Sequence, residues 1–227
     1  MNILIIDTSS EIEYIAVFAD DKLFESSKVS GFSHSSNLMC SIDNVFSSSG
    51  ITINDVGLVA VGVGPGSWTG IRVAVSTARA VSQTLNIPCL PVSTHEIFAM
   101  GYPFAAGDVI VTAFDSKKKR VFASAYLIND DYYPELVISA GDYEPEQLAS
   151  LIDGRKVFGI GNGFEKYRDY FETLSNITII GDYIPTGKRI ADFALKKFNE
   201  NPLPNSNYDD IMPVYLRKSD AEILFNV

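Results

Sequence analysis

Short apolar runs alternate along this chain with longer segments in which apolar residues recur every three or four positions. Runs rich in β-branched and aromatic residues predict strands, and the longer spacing predicts helices that bury one face. In the first half we expect a hairpin turn at Asp20 and Asp21, strands at residues 2–6, 14–19, 22–29, 58–63 and 88–92, and helices at residues 34–48, 70–85 and from about residue 93.

The second half of the chain repeats this order of elements. Strands are predicted at residues 109–114, 121–128, 135–139, 156–160 and 177–180, and helices at residues 145–152, 164–171 and 189–198. The order βββαβαβα therefore occurs twice, which predicts an α/β fold of two similar domains with mixed sheets. We place the domains at residues 1–102 and 103–227, with an apolar tail at residues 213–217 that docks back on the N-terminal domain. The doubled order is the layout of the actin-like (ASKHA) superfamily, which includes the hexokinase and Hsp70 ATPase folds.

The helix predicted at residues 70–85 has two faces with almost no charge. The face expected to lie on the sheet consists of Ile71, Ala74, Val75, Ala78, Val81, Ser82 and Leu85. A second, outer face consists of Val73, Thr77, Ala80 and Thr84, and the polar stripe of Arg72, Ser76, Arg79 and Gln83. A helix covering a sheet usually shows water a wide charged face, so this pattern indicates either a protein partner or a helix enclosed by its own domain.

The helix predicted at residues 34–48 also has a nearly uncharged outer side. Its apolar arc is formed by Leu38, Met39, Ile42, Val45 and Phe46, and Asp43 is the only charged residue in the remainder. Because charged residues are depleted at the centres of protein interfaces, two such helices favour a docking surface for another protein.

Two turns are candidates for phosphate contacts. Asp7, Thr8 and Ser9 follow the first strand, where a carboxylate and turn amides can hold Mg²⁺ and phosphate, or where the same residues simply close a turn. Gly161 follows a later strand, in the position of an adenosine-side loop. The glycine-rich segment before Ile71 lacks the lysine of a phosphate-binding loop, so close backbone packing explains its glycines better.

Charge and residue counts weigh against several other classes. The net charge of −10 disfavours nucleic-acid binding by this chain alone, and the basic run at residues 117–120 is expected to be a hairpin turn or, less favourably, an edge contact to RNA. The apolar runs are too short for membrane spans. Cys40 and Cys89, on predicted buried elements, lack the spacing of a zinc or redox pair, so a cytoplasmic location is expected. His34 and His95 lack the spacing of a helical metal pair and are expected to be caps or packed rings.

Several motifs resemble the TsaB (YeaZ) family, the small subunit of the bacterial machinery that makes threonylcarbamoyladenosine in tRNA. The similar segments are His34-Ser35 with Leu38 and Ile42, Val59-Ala60-Val61-Gly62, Gly64-Pro65-Gly66-Ser67-Trp68-Thr69-Gly70-Ile71-Arg72, Ala78, Pro91-Val92-Ser93, residues 115–126 and Tyr215-Leu216-Arg217. The chain departs from the family where Asp-Ala-Arg and Glu-Val-Tyr are usual, because it has Asp115-Ser116-Lys117 and Arg120-Val121-Phe122.

The resemblance implies a noncatalytic scaffold subunit with an actin-like fold. The catalytic relative, TsaD, holds a metal through a His-x-x-x-His pair that falls on Thr94 and Phe98 here, so we expect no catalytic residues, no metal and no tightly bound cofactor. Family members pair with TsaD through their first two long helices, the ATPase TsaE joins the pair, and homodimers form through the same surface when TsaD is missing. ATP, Mg²⁺ and tRNA would then enter only at the level of the complex.

This resemblance assigns the partner contact to eight residues of the two helices: Leu38, Met39, Ile42, Phe46, Arg72, Val73, Thr77 and Ala80. The alternative is an independent actin-like ATPase or small-molecule kinase that uses Asp7, Thr8, Ser9 and Gly161 for nucleotide or phosphate contacts.

Overall fold

The computed structural model describes residues 1–29 and 34–217, and it describes side chains in the first helix from residue 38 onward. The strands are β1 (Ile3–Asp7), β2 (Ile12–Ala19), β3 (Lys22–Val29), β4 (Leu58–Gly62), β5 (Cys89–Val92), β6 (Val109–Lys117), β7 (Arg120–Ile128), β8 (Pro134–Tyr143), β9 (Val157–Ile160) and β10 (Ile177–Ile179). The α-helices are α1 (His34–Ser49), α2 (Trp68–Leu85), α3 (Thr94–Met100), α4 (Pro145–Leu151), α5 (Asn162–Lys166), α6 (Arg168–Phe171) and α7 (Lys188–Glu200), and short 3₁₀ helices span Ile53–Asp55 and Asn207–Asp210.

The two halves of the chain form two five-stranded sheets with the same topology. The first has the order β3-β2-β1-β4-β5 and the second the order β8-β7-β6-β9-β10. In each sheet three antiparallel strands come first along the chain, and two strands parallel to the central one follow. The structure therefore confirms a duplicated α/β unit with mixed sheets.

Alternating side chains of the first sheet separate two apolar cores. Leu4 and Ile6 of β1 face one side, where they pack with the buried faces of α1 and α2. Ile3 and Ile5 face the other side, where they pack with α3 and α7. Because both faces are covered, β1, β2 and β4 are buried along their whole length, as their almost continuous apolar sequences predict.

The last helix of each repeat, α3 or α7, packs on the first sheet. Phe98 of α3 packs with Ile110 and Phe114 of the second sheet, whereas Ile190 and Ala194 of α7 pack on the first sheet. The segment after α7 also returns to the first sheet, where the Val214 amide donates a 2.8 Å hydrogen bond to the Val63 carbonyl. Residues that follow the boundary near residue 102 in sequence thus contribute to the core around β1.

Two local expectations were wrong. The helix predicted at residues 164–171 is divided into α5 and α6, because the backbone at Tyr167 leaves the helical region (φ −116°, ψ 30°) while its ring packs against the second-sheet core. Cys40 is exposed rather than buried, since it follows Met39 on the outer side of α1. Cys89 is buried on β5, and its burial raises the pKa of the thiol to about 12. Among the residues that the structure describes, no helix is long and apolar enough to cross a membrane.

Candidate partner-binding surface and interdomain cleft

The turn after β1 holds a buried carboxylate. Asp7 is 1% exposed, and its Oδ1 accepts a 2.6 Å hydrogen bond from the Ser9 amide. A side chain at Gly62, at the end of β4, would collide with the Asp7 carboxylate, so glycine leaves the space that this group occupies. Burial raises the pKa of Asp7 to about 6, although the hydrogen bond from Ser9 opposes that shift.

The glycine-rich segment before α2 packs directly on this turn. The Thr8 hydroxyl donates a 2.7 Å hydrogen bond to the Gly70 carbonyl, and the Ser67 amide donates a 2.6 Å hydrogen bond to the Ser9 carbonyl. A Cβ atom at Gly70 would collide with the Thr8 carbonyl oxygen. These contacts confirm that close backbone approach explains the glycines, and they engage Thr8 and Ser9 in contacts within the domain.

The cleft between the two halves contains a cavity of about 450 Å³. It is lined by the β1–β2 turn, the start of α2, the β6–β7 turn and the tail from Val214 onward. Its hydroxyl groups include those of Ser9, Ser10 and Ser116, and its charged residues are Glu11, Asp115, Lys117 and Arg217. Asp7 and Thr8 are buried. Gly161 lines a second cavity of about 190 Å³. The structure therefore brings Ser9 to the larger cavity but does not gather all four phosphate candidates around it.

The α3 positions that were aligned with metal ligands are packed in the protein interior. Thr94 and Phe98 are both buried. His95 stacks on Phe114 with ring centroids 5.0 Å apart, and its Nδ1 lies 2.5 Å from the Thr112 hydroxyl. Burial lowers the pKa of His95 to about 3, so the ring is neutral near pH 7 and the expected packed ring is confirmed. The His34 side chain lies outside the described residues. Across the described parts of the chain, no three His, Cys, Asp or Glu side chains form a metal-binding group.

The outer faces of α1 and α2 carry few charges. Met39 is 57% exposed on α1, and Ala80 and Arg72 are exposed on α2, while Val73 and Thr77 are half-buried. The other exposed residues of the two helices between residues 38 and 85 are Cys40, Asp43, Asn44, Ser47, Ser48, Trp68, Thr69, Ser76, Gln83 and Thr84. We refer to the outer faces of α1 and α2 as the α1–α2 surface.

Three residues assigned to the partner contact do not lie on this surface. Leu38, Ile42 and Phe46 are 2%, 1% and 9% exposed, and they pack against the first sheet. Sequence periodicity placed them on one arc with Met39, but Met39 lies at the edge of that arc and points outward. The α1–α2 surface therefore retains Met39, Arg72, Val73, Thr77 and Ala80 from the predicted set.

The N-terminal end of α2 holds an aromatic and cationic cluster. The rings of Trp68 and Tyr215 are stacked with centroids 3.9 Å apart, and the Arg72 guanidinium carbon lies 4.6 Å from the Trp68 ring centroid. Arg72 also donates a 3.0 Å hydrogen bond from Nε to the Tyr215 hydroxyl. The sequence analysis assigned Arg72 to the partner contact but missed this cluster, because nothing local relates α2 to a tyrosine 143 positions later.

The basic run forms the tight β6–β7 hairpin turn. Lys117, Lys118 and Lys119 all have positive φ values, between 53° and 65°. Lys117 pairs with Asp115 at 2.9 Å, and Arg120 pairs with Asp142 and Glu144 at 3.1 and 3.0 Å. The expected hairpin turn is confirmed, and carboxylates offset much of its positive charge.

The duplicated sheets, with a cleft between them, define a two-domain actin-like α/β protein. The family model described as TsaD, tRNA N6-adenosine threonylcarbamoyltransferase, matches residues 28–225. The TsaB protein of Haemophilus influenzae is 24% identical over 225 residues, which cover 96% of this chain and 94% of that protein. The TsaB protein of Bacillus subtilis is 25% identical over 232 residues, covering 98% and 96%.

A solved structure supports the same fold. YeaZ from Pseudomonas aeruginosa superposes with a TM-score of 0.82 at 22% identity, over 95% of this chain and 99% of that one. The chain belongs to the family that the TsaD model describes, and within it to the TsaB (YeaZ) members.

Proposed function

We propose that this chain is a noncatalytic subunit required for threonylcarbamoylation of the tRNA adenosine next to the anticodon. Similar proteins are named for tRNA threonylcarbamoyladenosine biosynthesis. In this proposal a TsaD-type subunit performs the transfer, a TsaE-type ATPase joins the pair, and this chain supplies the scaffold. ATP and Mg²⁺ act at the level of the complex in the cytoplasm.

The α1–α2 surface is the observation that carries the proposal. It combines the exposed thioether of Met39 with the half-buried Val73 and Thr77. A surface of this composition is suited to burial, because few charges have to be desolvated at its centre. In the absence of the TsaD-type subunit, we expect a second copy of this chain to cover the same surface.

The side chains of α3 support the noncatalytic part of the proposal. Thr94 and Phe98 offer a hydroxyl and a phenyl ring where the resemblance places imidazole ligands. His95 has its Nδ1 engaged by Thr112 and its ring stacked on Phe114. The net charge of −10 supports the view that tRNA is reached through the complex rather than by this chain alone.

The proposal is tested with the variant Val73→Lys/Thr77→Lys, which places two charges at the centre of the α1–α2 surface. We expect loss of co-purification with the TsaD-type protein of the same organism, because burying unpaired ammonium groups costs several kcal/mol. The matched control is Ser150→Lys/Asn199→Lys, which adds the same charge at exposed positions of α4 and α7. If the Val73→Lys/Thr77→Lys variant binds and supports tRNA modification as the control does, the surface is wrongly assigned.

The 450 Å³ cavity favours one alternative, an independent ATPase or small-molecule kinase. Calorimetry of the isolated chain with Mg-ATP separates the two functions. Submicromolar binding with turnover would support the kinase, whereas the scaffold proposal expects neither.

A further inference from the structure

Arg72 is the cation of α2 that remains available to a partner. Arg79, two turns further along the helix, is already paired with Asp209 at 2.9 Å. Tyr215 is the only hydrogen-bond partner of the Arg72 side chain in the described part of the protein, and it accepts from Nε. The two terminal nitrogens of the Arg72 guanidinium therefore remain available as a pair of parallel donors.

The orientation of Arg72 is fixed before any partner arrives. Its guanidinium lies over the Trp68 ring while its Nε is tied to the Tyr215 hydroxyl, and Tyr215 stacks on Trp68 from the tail. The tail is itself anchored, since the amide of the preceding residue, Val214, donates to the Val63 carbonyl at the end of the first sheet. A planar cation held in this way loses little conformational freedom when it binds.

The chemistry of these donors specifies the group that fits them. A guanidinium edge with two parallel N–H groups matches the two oxygens of a carboxylate. The chain as a whole carries a net charge of −10, so an acidic group on a partner is repelled by much of its surface and is attracted at Arg72. Arg72 lines an open depression on α2 together with Trp68, Thr69, Val73, Ser76 and Thr77.

We infer that Arg72 binds a carboxylate side chain of the protein that docks on the α1–α2 surface, and that Tyr215 is the positioning residue that orients Arg72. This inference rests on the proposed function, and it adds the chemical group that the partner presents and the position on α2 where that group binds. The tail after α7 thereby takes part in partner binding by orienting Arg72.

The experiment measures the affinity of the full chain for the TsaD-type subunit by calorimetry at about 50 and 500 mM salt. Arg72→Gln should weaken binding about 30-fold at low salt and flatten its salt dependence, since an ion pair is lost. Tyr215→Phe keeps the ring stack and removes only the hydroxyl, and it should weaken binding about fivefold. In the Arg72→Gln background, Tyr215→Phe should cause no further loss, because its effect acts through Arg72.

The matched controls are Arg168→Gln and Tyr143→Phe, which change the same chemical groups in the second half of the chain. If the wild-type chain binds the TsaD-type subunit, and Arg72→Gln and Tyr215→Phe both bind it with wild-type affinity, the inference is overturned while the proposed function stands. Additive effects of the two substitutions would overturn the positioning role of Tyr215. If Arg72→Gln weakens only the affinity of the assembled complex for tRNA, the group recognised is a phosphate and the inference fails.

The proposed function fails separately if the wild-type chain does not bind the TsaD-type subunit, and the inference then fails with it. Thermal unfolding confirms that each variant is folded; Arg72 is exposed, so Arg72→Gln carries the test even if Tyr215→Phe is unstable.

Discussion

The imidazole of His95 and the hydroxyl of Thr112 lie 2.5 Å apart, and their contact joins α3 of the first repeat to β6 of the second. Both side chains are fully buried. The ring nitrogen on the other side of His95, Nε2, has no hydrogen-bond partner among the described residues. A charged imidazolium would therefore be poorly compensated at this junction, which makes the junction sensitive to acid.

We predict that His95 makes the fold less stable in mild acid. Burial lowers the pKa of His95 to about 3, whereas an unfolded histidine has a pKa near 6.5. The unfolded chain therefore binds an additional proton as the pH falls below about 6.5, and the stability contributed by neutral His95 is lost between about pH 6.5 and 3. Between pH 7 and pH 5 the loss contributed by His95 should be about 2 kcal/mol, measured as the difference between the wild type and His95→Gln in how the free energy of unfolding in urea changes with pH.

The variant His95→Gln should remove this acid dependence, because glutamine does not titrate. Thr112→Val is the control, since it removes the hydrogen bond but retains the histidine. It should lower stability at pH 7 by about 1 kcal/mol while the loss toward pH 5 persists. An unchanged acid slope in His95→Gln would show that other groups cause the acid sensitivity.

Asp7 should have the opposite dependence on pH. Burial raises the pKa of Asp7 to about 6, above the value of 3.8 expected without burial, so the folded state holds the extra proton between these values. Stability contributed by protonated Asp7 is present below about pH 4 and is lost as the pH rises to about 6. Asp7→Asn should therefore stabilise the protein by about 2 kcal/mol at pH 7.5 and by much less at pH 4. Equal gains at the two pH values would contradict the assignment of this effect to ionisation.

The contact between the glycine-rich segment and the β1–β2 turn leaves no room for a methyl group. Gly70→Ala should destabilise the fold by about 3 kcal/mol or more, because its Cβ would collide with the Thr8 carbonyl oxygen. Gly57→Ala is the matched control, since its new methyl group would meet the flexible side chain of Met1 at 3.0 Å. Denaturant midpoints compare the two variants. A small effect of Gly70→Ala would mean that the segment can move away from the turn.

The sequence was sufficient to predict the order of elements and the use of the glycines. A continuous apolar run such as Leu58–Gly62 predicts a strand that is buried on both faces, and the run can be recognised from neighbouring residues alone. The helical period of α2 likewise identified Ile71, Ala74 and Ala78 as its buried side. Local patterns were therefore sufficient to predict the fold class, since each repeat is assembled from segments that are neighbours in the sequence.

Pairings between particular residues far apart in the chain could not be predicted in this way, although the return of the tail to the N-terminal domain was expected. The packing of α7 on the first sheet and the stack of Tyr215 on Trp68 join residues far apart in the chain. The apolar arc predicted for α1 is too wide, because a helical projection does not give the angle at which the helix meets the sheet. Ile42 was thus grouped with Met39, although one is 1% and the other 57% exposed.

An ion pair between a buried carboxylate and a half-exposed lysine lies beneath α1. Glu13 of β2 is fully buried, and its Oε1 lies 3.1 Å from the Lys28 ammonium of β3 and accepts a 2.5 Å hydrogen bond from Ser41 of α1. Its second oxygen, Oε2, has no partner within the described ranges. Lys28 also donates a 2.7 Å hydrogen bond to the Ser41 hydroxyl, so these groups connect the sheet to the helix that carries Met39.

Replacing Lys28 alone should be more damaging than replacing both members of the pair. Lys28→Met leaves the Glu13 carboxylate buried without its cation, and we expect a loss of about 3 kcal/mol in the free energy of unfolding. Glu13→Leu/Lys28→Met removes both charges and should recover most of that loss, because a leucine at the buried position 13 leaves no desolvated charge there. Urea unfolding of the wild type, the single variant and the double variant measures the difference. If the double variant is less stable than Lys28→Met, the pair stabilises α1 through its hydrogen bonds rather than merely neutralising a buried charge.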